Sequence, residues 1–233
     1  MTANIKFYSL FSIVAVCSFF SCKSADKKEE AVNEVDDTAK SIMVVDEATV
    51  EQLLDKSKAS DTIQMYSAQP FLFYKTGYLF DSKVRHSLVL SCLSEDQYKV
   101  RIYQVNDTSW SLVDVVGPLK ANLAAFYIES KDYNFDSEAD IYIQSDYSNN
   151  YPISTGHIIL VDPITKKMSL CPNSDQYGNP YADAGNKTLR SESKYKGTVK
   201  PGEEKIVVKR SKWVKDHFET IDSTIELVTA ARE

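Results

Sequence analysis

The sequence predicts an all-β protein, an antiparallel β-sandwich or a propeller-like sheet assembly, led by one short helix. Two observations carry this. From about residue 62, short runs of aromatic and β-branched residues recur, parted by Asn, Asp, Pro and Gly turn signals. No long helical periodicity lies between them, which indicates antiparallel sheets and not βαβ units. Roughly 170 residues are ample for one core. No internal linker divides them, and no clear repeat decides between sandwich and propeller.

The first 21 residues carry one charge, Lys6, and an apolar run from Phe7 to Phe20. That run is too short to span a bilayer and suits a signal-peptide core. It ends Phe19-Phe20-Ser21-Cys22, and charge begins at once with Lys23 to Glu30. This resembles a bacterial lipobox, so residues 1–21 are expected to be a lipoprotein signal peptide and Cys22 the lipidated residue. Lys23 in place of Asp is similar to the pattern of outer-membrane lipoproteins, so the expected location is the cell envelope, on the periplasmic or surface face. Two or more acyl chains anchor stably without a basic patch. Losing Lys6 with the leader takes the formal charge from −6 to −7, which argues against a nucleic-acid partner. Residues 22–45 mix charges of both signs with no aromatics and read as a solvated tether.

The domain proper is expected over residues 46–233. Asp46 can cap a short helix in which Val50, Leu53 and Leu54 share a face, ending near Lys58. Strands are expected at 71–74, 78–80, 88–90, 98–103, 110–116, 124–128, 140–143, 157–161, 205–208 and 224–228. Of four cysteines, Cys17 leaves with the leader and Cys22 takes the anchor. Cys92 and Cys171 remain, either bridged in an oxidising compartment or buried as small hydrophobes.

The segment Asp132-Tyr-Asn-Phe-Asp-Ser-Glu-Ala-Asp140 places oxygen ligands at alternating positions. Asp132, Asn134, Asp136 and Asp140 fall at positions one, three, five and nine of a calcium loop, with the Glu138 carbonyl at seven. Asp and Asn clusters also build ordinary turns through their own backbone. Position six is Ser137, where a left-handed turn favours glycine, and position twelve is Ile143 in place of a bidentate Glu. The loop is therefore no EF-hand, and a structural Ca²⁺ of modest affinity is the expectation.

The run Phe126 to Asp136 followed by Asp140-Ile-Tyr-Ile143 resembles the FG-GAP-like "D-x-N-F-D-G-x-x-D" core of an exported bacterial inhibitor family. His157-Ile-Ile-Leu-Val-Asp-Pro-Ile-Thr-Lys-Lys167 is similar to that family's "Y-D-P-x-T-G-K" turn, and Asn186 to Ser193 to its "N-K-T-I-x-S" strand. The resemblance implies a calcium-stabilised β fold on a periplasmic or outer-membrane lipoprotein. It also implies inhibition of lysozymes or other peptidoglycan hydrolases, as in inhibitors of invertebrate-type lysozyme. The loop after the calcium strand would then enter the hydrolase cleft, with Asp146, Tyr147, Asn149, Asn150 and Tyr151 as its candidate residues. Tyrosines cover area at low entropic cost, and amides suit a cleft built for sugars.

No catalytic constellation is visible, so no enzyme is expected: there is no nucleophile elbow, phosphate-cradling loop or His-Glu-x-x-His helix. His86, His157 and His217 lack metal spacing, and His157 reads as a satisfied core residue. The basic run Lys205 to Lys215 reads as a solvated strand face. The alternative function is a surface glycan-binding or adhesion module on the same stiffened scaffold.

Overall fold

The computed structural model describes residues 44–228 apart from 61, 69, 95, 148–152 and 202. The signal peptide, Cys22 and the tether lie outside the described residues.

The fold is all-β, as the alternating patterns require. The helix comes first: α1, Glu47–Ser57, is capped by Asp46, whose carboxylate accepts from Thr49 N at 2.7 Å. Three antiparallel sheets follow, each a meander in chain order. The first contains β1 (Ile63–Ala68), β2 (Phe71–Gly77), β3 (His86–Ser94), β4 (Gln97–Asn106) and β5 (Ser109–Lys120). The second contains β6 (Ile128–Lys131), β7 (Asp140–Tyr147), β8 (Ser154–Val161) and β9 (Met168–Leu170). The third contains β10 (Gly178–Asp183), β11 (Thr188–Lys194), β12 (Lys205–Val214) and β13 (His217–Leu227).

These elements stack in layers, and the sequence shows why. In β7, Ile141 and Ile143 point to one face and Tyr142 to the other. The two isoleucines join Phe71, Phe73, Leu90 and Val100 in a core between the first and second sheets. Tyr142 joins Ile158, Leu160, Leu189 and Phe218 in a core between the second and third. Covered on both faces, the second sheet has near-continuous apolar strands. Each of its fully buried isoleucines, Ile141, Ile143, Ile158 and Ile159, contributes about 1.5–3 kcal/mol.

A third core holds α1 on the outer face of the first sheet, through Val50, Leu54, Leu72, Tyr74 and Val89. The helix ends are met by side chains of the same sheet. Glu47 in the first turn pairs with Arg101 and, at 2.9 Å, with Lys99. At the other end, Trp110 Nε1 takes the Leu54 carbonyl (2.7 Å), one of those that a helix leaves unbonded. Arg85, just before β3, donates to Ser57 O (3.3 Å) and to Ser60 O beyond the helix (2.7 Å).

Several expectations need correction. Residues 78–80 form bends and no strand, with Phe80 turned into the core. The expected strand at 124–128 is a 3₁₀ turn, Leu123–Ala125, with β6 starting only at Ile128. Asn122 causes this: its side chain accepts from Ala124 N and starts a turn. Cys92 and Cys171 are buried but not bridged to each other, because they sit in the two different inter-sheet cores. His157 is half-buried at a cleft edge and not in the core; it is satisfied, by the Lys120 carbonyl at 2.8 Å.

Candidate functional site

Pairing of Lys131 with Asp140 closes residues 132–139 into the connection between β6 and β7. Within it the acidic side chains cap the loop's own amides. Asp132 accepts from Asp136 N (3.1 Å) and Ser137 N (2.9 Å). Asn134 Oδ1 accepts from Asp136 N (3.1 Å), and Asp136 Oδ1 from Glu138 N (2.8 Å). The turn runs through the left-handed region at Phe135 (φ 64°) and Ser137 (φ 77°), so the glycine-like conformation expected at position six is present on a serine.

Asp140 has a different job. It is fully buried, and its Oδ2 takes Tyr133 N (2.8 Å) and Asn134 N (3.3 Å), while Oδ1 takes Val161 N on β8 (2.9 Å). One carboxylate thus staples the loop to two strands. Burial pushes its pKa up to about 7 against the pull of those three amides. Glu138 directs its side chain to Lys166, which also donates to the Pro163 carbonyl at 2.8 Å. Lys166 ties the loop to the turn after β8, and Asp140 has no cationic partner among the described residues.

No group of three or more His, Cys, Asp or Glu side chains converges as a metal cage among the described residues. The donor set nonetheless fits a hard cation in kind: side-chain oxygens of Asp132, Asn134 and Asp136, the Glu138 carbonyl, and the buried Asp140 carboxyl, whose ionised form a bound cation would favour.

From Asp140, β7 runs through the core and out to an exposed end. Its first four residues are buried, and Asp146 and Tyr147 are exposed, Tyr147 by 50%. A register shift between Gln144 and Asp146 turns the strand end aside. Asn149, Asn150 and Tyr151 lie outside the described residues. The returning strand is held firmly: a Cβ at Gly156 would overlap the Ile143 carbonyl, so β8 packs there with no side chain. Ser154 N and Oγ donate to Asn179 Oδ1 at 2.8 and 3.0 Å. Asn179 in turn donates to the buried Glu192 at 2.7 Å, which pairs with Arg190.

An open cleft of about 660 Å³ adjoins Asp146, lined also by Asp96, Lys120, Asn122, His157 and Asp175. Three carboxylates against one lysine make it acidic. Sequence reasoning missed both this cleft and the Asn179–Glu192 tie, since only tertiary folding brings their residues together.

The fold and loop therefore describe a class: a protein of three stacked antiparallel meanders with an Asx-rich connection bracing the central sheet. No family model matches the chain, and no curated protein does. Among solved structures it is similar to a Xanthomonas type IV secretion system related protein, at 14% identity and a TM-score of 0.36. The match covers 71% of this chain and 87% of that one. A likeness of that size says nothing of function.

Proposed function

We propose that the chain is a lipid-anchored, calcium-stabilised protein inhibitor of a peptidoglycan hydrolase or lysozyme, whose β7–β8 hairpin occludes the target's cleft. The observation that supports this most is the course of β7. It is buried from Asp140 to Ile143, stapled at its start through Asp140, and ends in the exposed Asp146 and Tyr147. A strand fixed at one end and exposed at the other is a preorganised probe, and preorganisation limits the ordering cost of binding.

Each residue then has a part. Tyr147 supplies a broad amphipathic surface with two side-chain torsions to fix. Asp146, with Asp96 and Asp175 across the cleft, offers negative charge to a basic rim on the target. Asn179 and Glu192 hold the returning strand in place. A calcium ion on the 132–140 loop would neutralise its carboxylates and stiffen the base of the hairpin.

The test is inhibition of a panel of lysozymes and peptidoglycan hydrolases by the mature protein and by Tyr147→Ala, Asp146→Ala and Tyr151→Ala variants. A loss of tenfold or more in potency, with melting unchanged, is expected for Tyr147→Ala. Inhibition unaltered in all three overturns the hairpin's role. Absence of inhibition together with binding to peptidoglycan fragments would replace the reading with that of a glycan-binding module.

A further inference from the structure

A second site lies between the first and second sheets, near the start of β7 and away from its exposed end. In β2, Phe71, Phe73 and Lys75 share the face turned toward the second sheet, while Leu72 and Tyr74 face α1. Lys75 thus occupies a core-facing position in line with two buried phenylalanines. Its cross-strand neighbours are Gln64 on β1 and Leu88 on β3. A pocket of about 290 Å³ opens here, floored by the buried Phe73, Phe80, Leu88 and Ile141, with Lys75 and Gln64 among its lining residues.

Lys75 is half-buried there, with its stem along the apolar lining, and a lysine buried any further ordinarily has an anionic partner. Lys75 makes no hydrogen bond or ion pair among the described residues. The one carboxylate that lines the pocket, Glu129, is engaged elsewhere, with Lys131 and, at 3.5 Å, the Tyr133 hydroxyl. The volume lies just below the usual range for drug-sized ligands, which suits a smaller molecule, and an apolar floor with a few polar groups is the usual make-up of ligand sites.

We infer that this pocket binds a small amphiphilic carboxylate, its apolar body on the Phe73–Leu88–Ile141 floor and its head on the Lys75 ammonium and the Gln64 amide. A single cation on the lining matches a monoanion better than a doubly charged phosphate. The site is independent of the hairpin and of any hydrolase. A free short-chain or aryl acid and the carboxyl terminus of a peptide ending in an apolar residue share this chemistry.

Isothermal titration and NMR of the mature protein would use hexanoate and phenylacetate, their neutral amides, and a short peptide ending in Phe. The acids are expected to perturb the Lys75 and Leu88 resonances and to bind at least tenfold more tightly than the amides, since a charge-assisted bond is lost in the amide. Lys75→Met should erase that preference. Peptide binding with no response to the small acids would assign the site to a peptide terminus. No binding by any acid or peptide, equal binding of acids and amides, or a preference that survives in Lys75→Met overturns the assignment. If Lys75→Met does not fold, the acid–amide comparison on the natural protein decides alone.

Discussion

Replacing Asp140 by Ala removes the acceptor of Tyr133 N and Val161 N, both buried, and of Asn134 N, partly buried at a longer 3.3 Å. A buried donor left unsatisfied costs about 1–3 kcal/mol, so the two buried amides together account for roughly 2–6 kcal/mol. Part of this is offset, because burying the carboxylate is itself unfavourable, as its pKa of about 7 shows. We expect a net loss of about 3 kcal/mol, which for a domain of this size lowers the melting temperature by roughly 6–12 °C. The comparison is Asp132→Ala. Asp132 accepts only from exposed amides that water can serve, so its loss costs about 1 kcal/mol or less. Melting followed by circular dichroism, with chelator and with Ca²⁺, separates the staple from the metal. If the loop holds calcium as proposed, the ion at a hundredfold excess over Kd would add about 2.7 kcal/mol to the natural protein. Both variants should lose that gain, but only Asp140→Ala should melt early in chelator. An Asp140→Ala protein within 2 °C of the natural one, or an Asp132→Ala protein less stable than Asp140→Ala, refutes the reasoning.

Two further outcomes follow from the backbone and the core. Ser137→Gly should stabilise by about 1 kcal/mol, because Ser137 sits at φ 77°, while Ser137→Ala should bring no gain; thermal melts of the pair check this. His86 is 1% exposed, packs against Phe80, and has no well-formed hydrogen bond on either ring nitrogen among the described residues. Burial and the Lys166 ammonium lower its pKa against the opposing Asp81 and Glu138 carboxylates and the Val84 backbone. A base depressed on folding contributes stability above its unfolded pKa of about 6.5 that is lost as pH falls below it. Asp140, with its pKa raised to about 7, gains stability as pH falls over the same range, so the His86 contribution is read as a difference. The melting temperature of the natural protein should fall relative to that of His86→Leu between about pH 7 and pH 5; a difference that does not change with pH would place the acid sensitivity elsewhere.

Much of the fold is legible because burial leaves a two-residue period in the chain. Ile141 and Ile143 mark the interior face of one strand and Asp46 with Val50 and Leu54 announces the helix, while the run Ile158 to Val161 marks a strand without telling that both its faces are covered. Where the period is weak, legibility ends. In β1, Gln64 and Ser67 dilute the pattern, and β9 is only three residues long. At residues 123–125 a local side-chain bond from Asn122 overrides β propensity. The loop is visible because its chemistry is contiguous. The acidic cleft is not, since Asp96, Asp146 and Asp175 meet only through the packing of separate sheets. Lys75 is legible as a charge but not as a core-facing one, because its side follows from register with Gln64 and Leu88.

The distribution of backbone strain bears on where the molecule works. With seven glycines in the chain, left-handed positions fall to other residues, and Asp107, Asn173 and Asn179 are types that tolerate them. Phe135, Ser137, Lys166, Lys187 and Lys215 are not; Lys187 and Lys215 sit singly in hairpin turns of the third sheet, and the other three lie in the 132–140 loop or in the turn that Lys166 joins to it. Such residues persist only where their surroundings over-determine them, and they gather at sites of function. Here the determining contacts are those that fix the start of β7: the three amides on Asp140, the two on Asp132, and the Lys166 bridge between Glu138 and Pro163. If the loop were only a connection between β6 and β7, a glycine-bearing turn would serve at lower cost. The hairpin turns of the third sheet carry one such residue each at Lys187 and Lys215, whereas three meet at the base of the strand ending in Asp146 and Tyr147, a concentration in keeping with the proposal that the loop aims that strand.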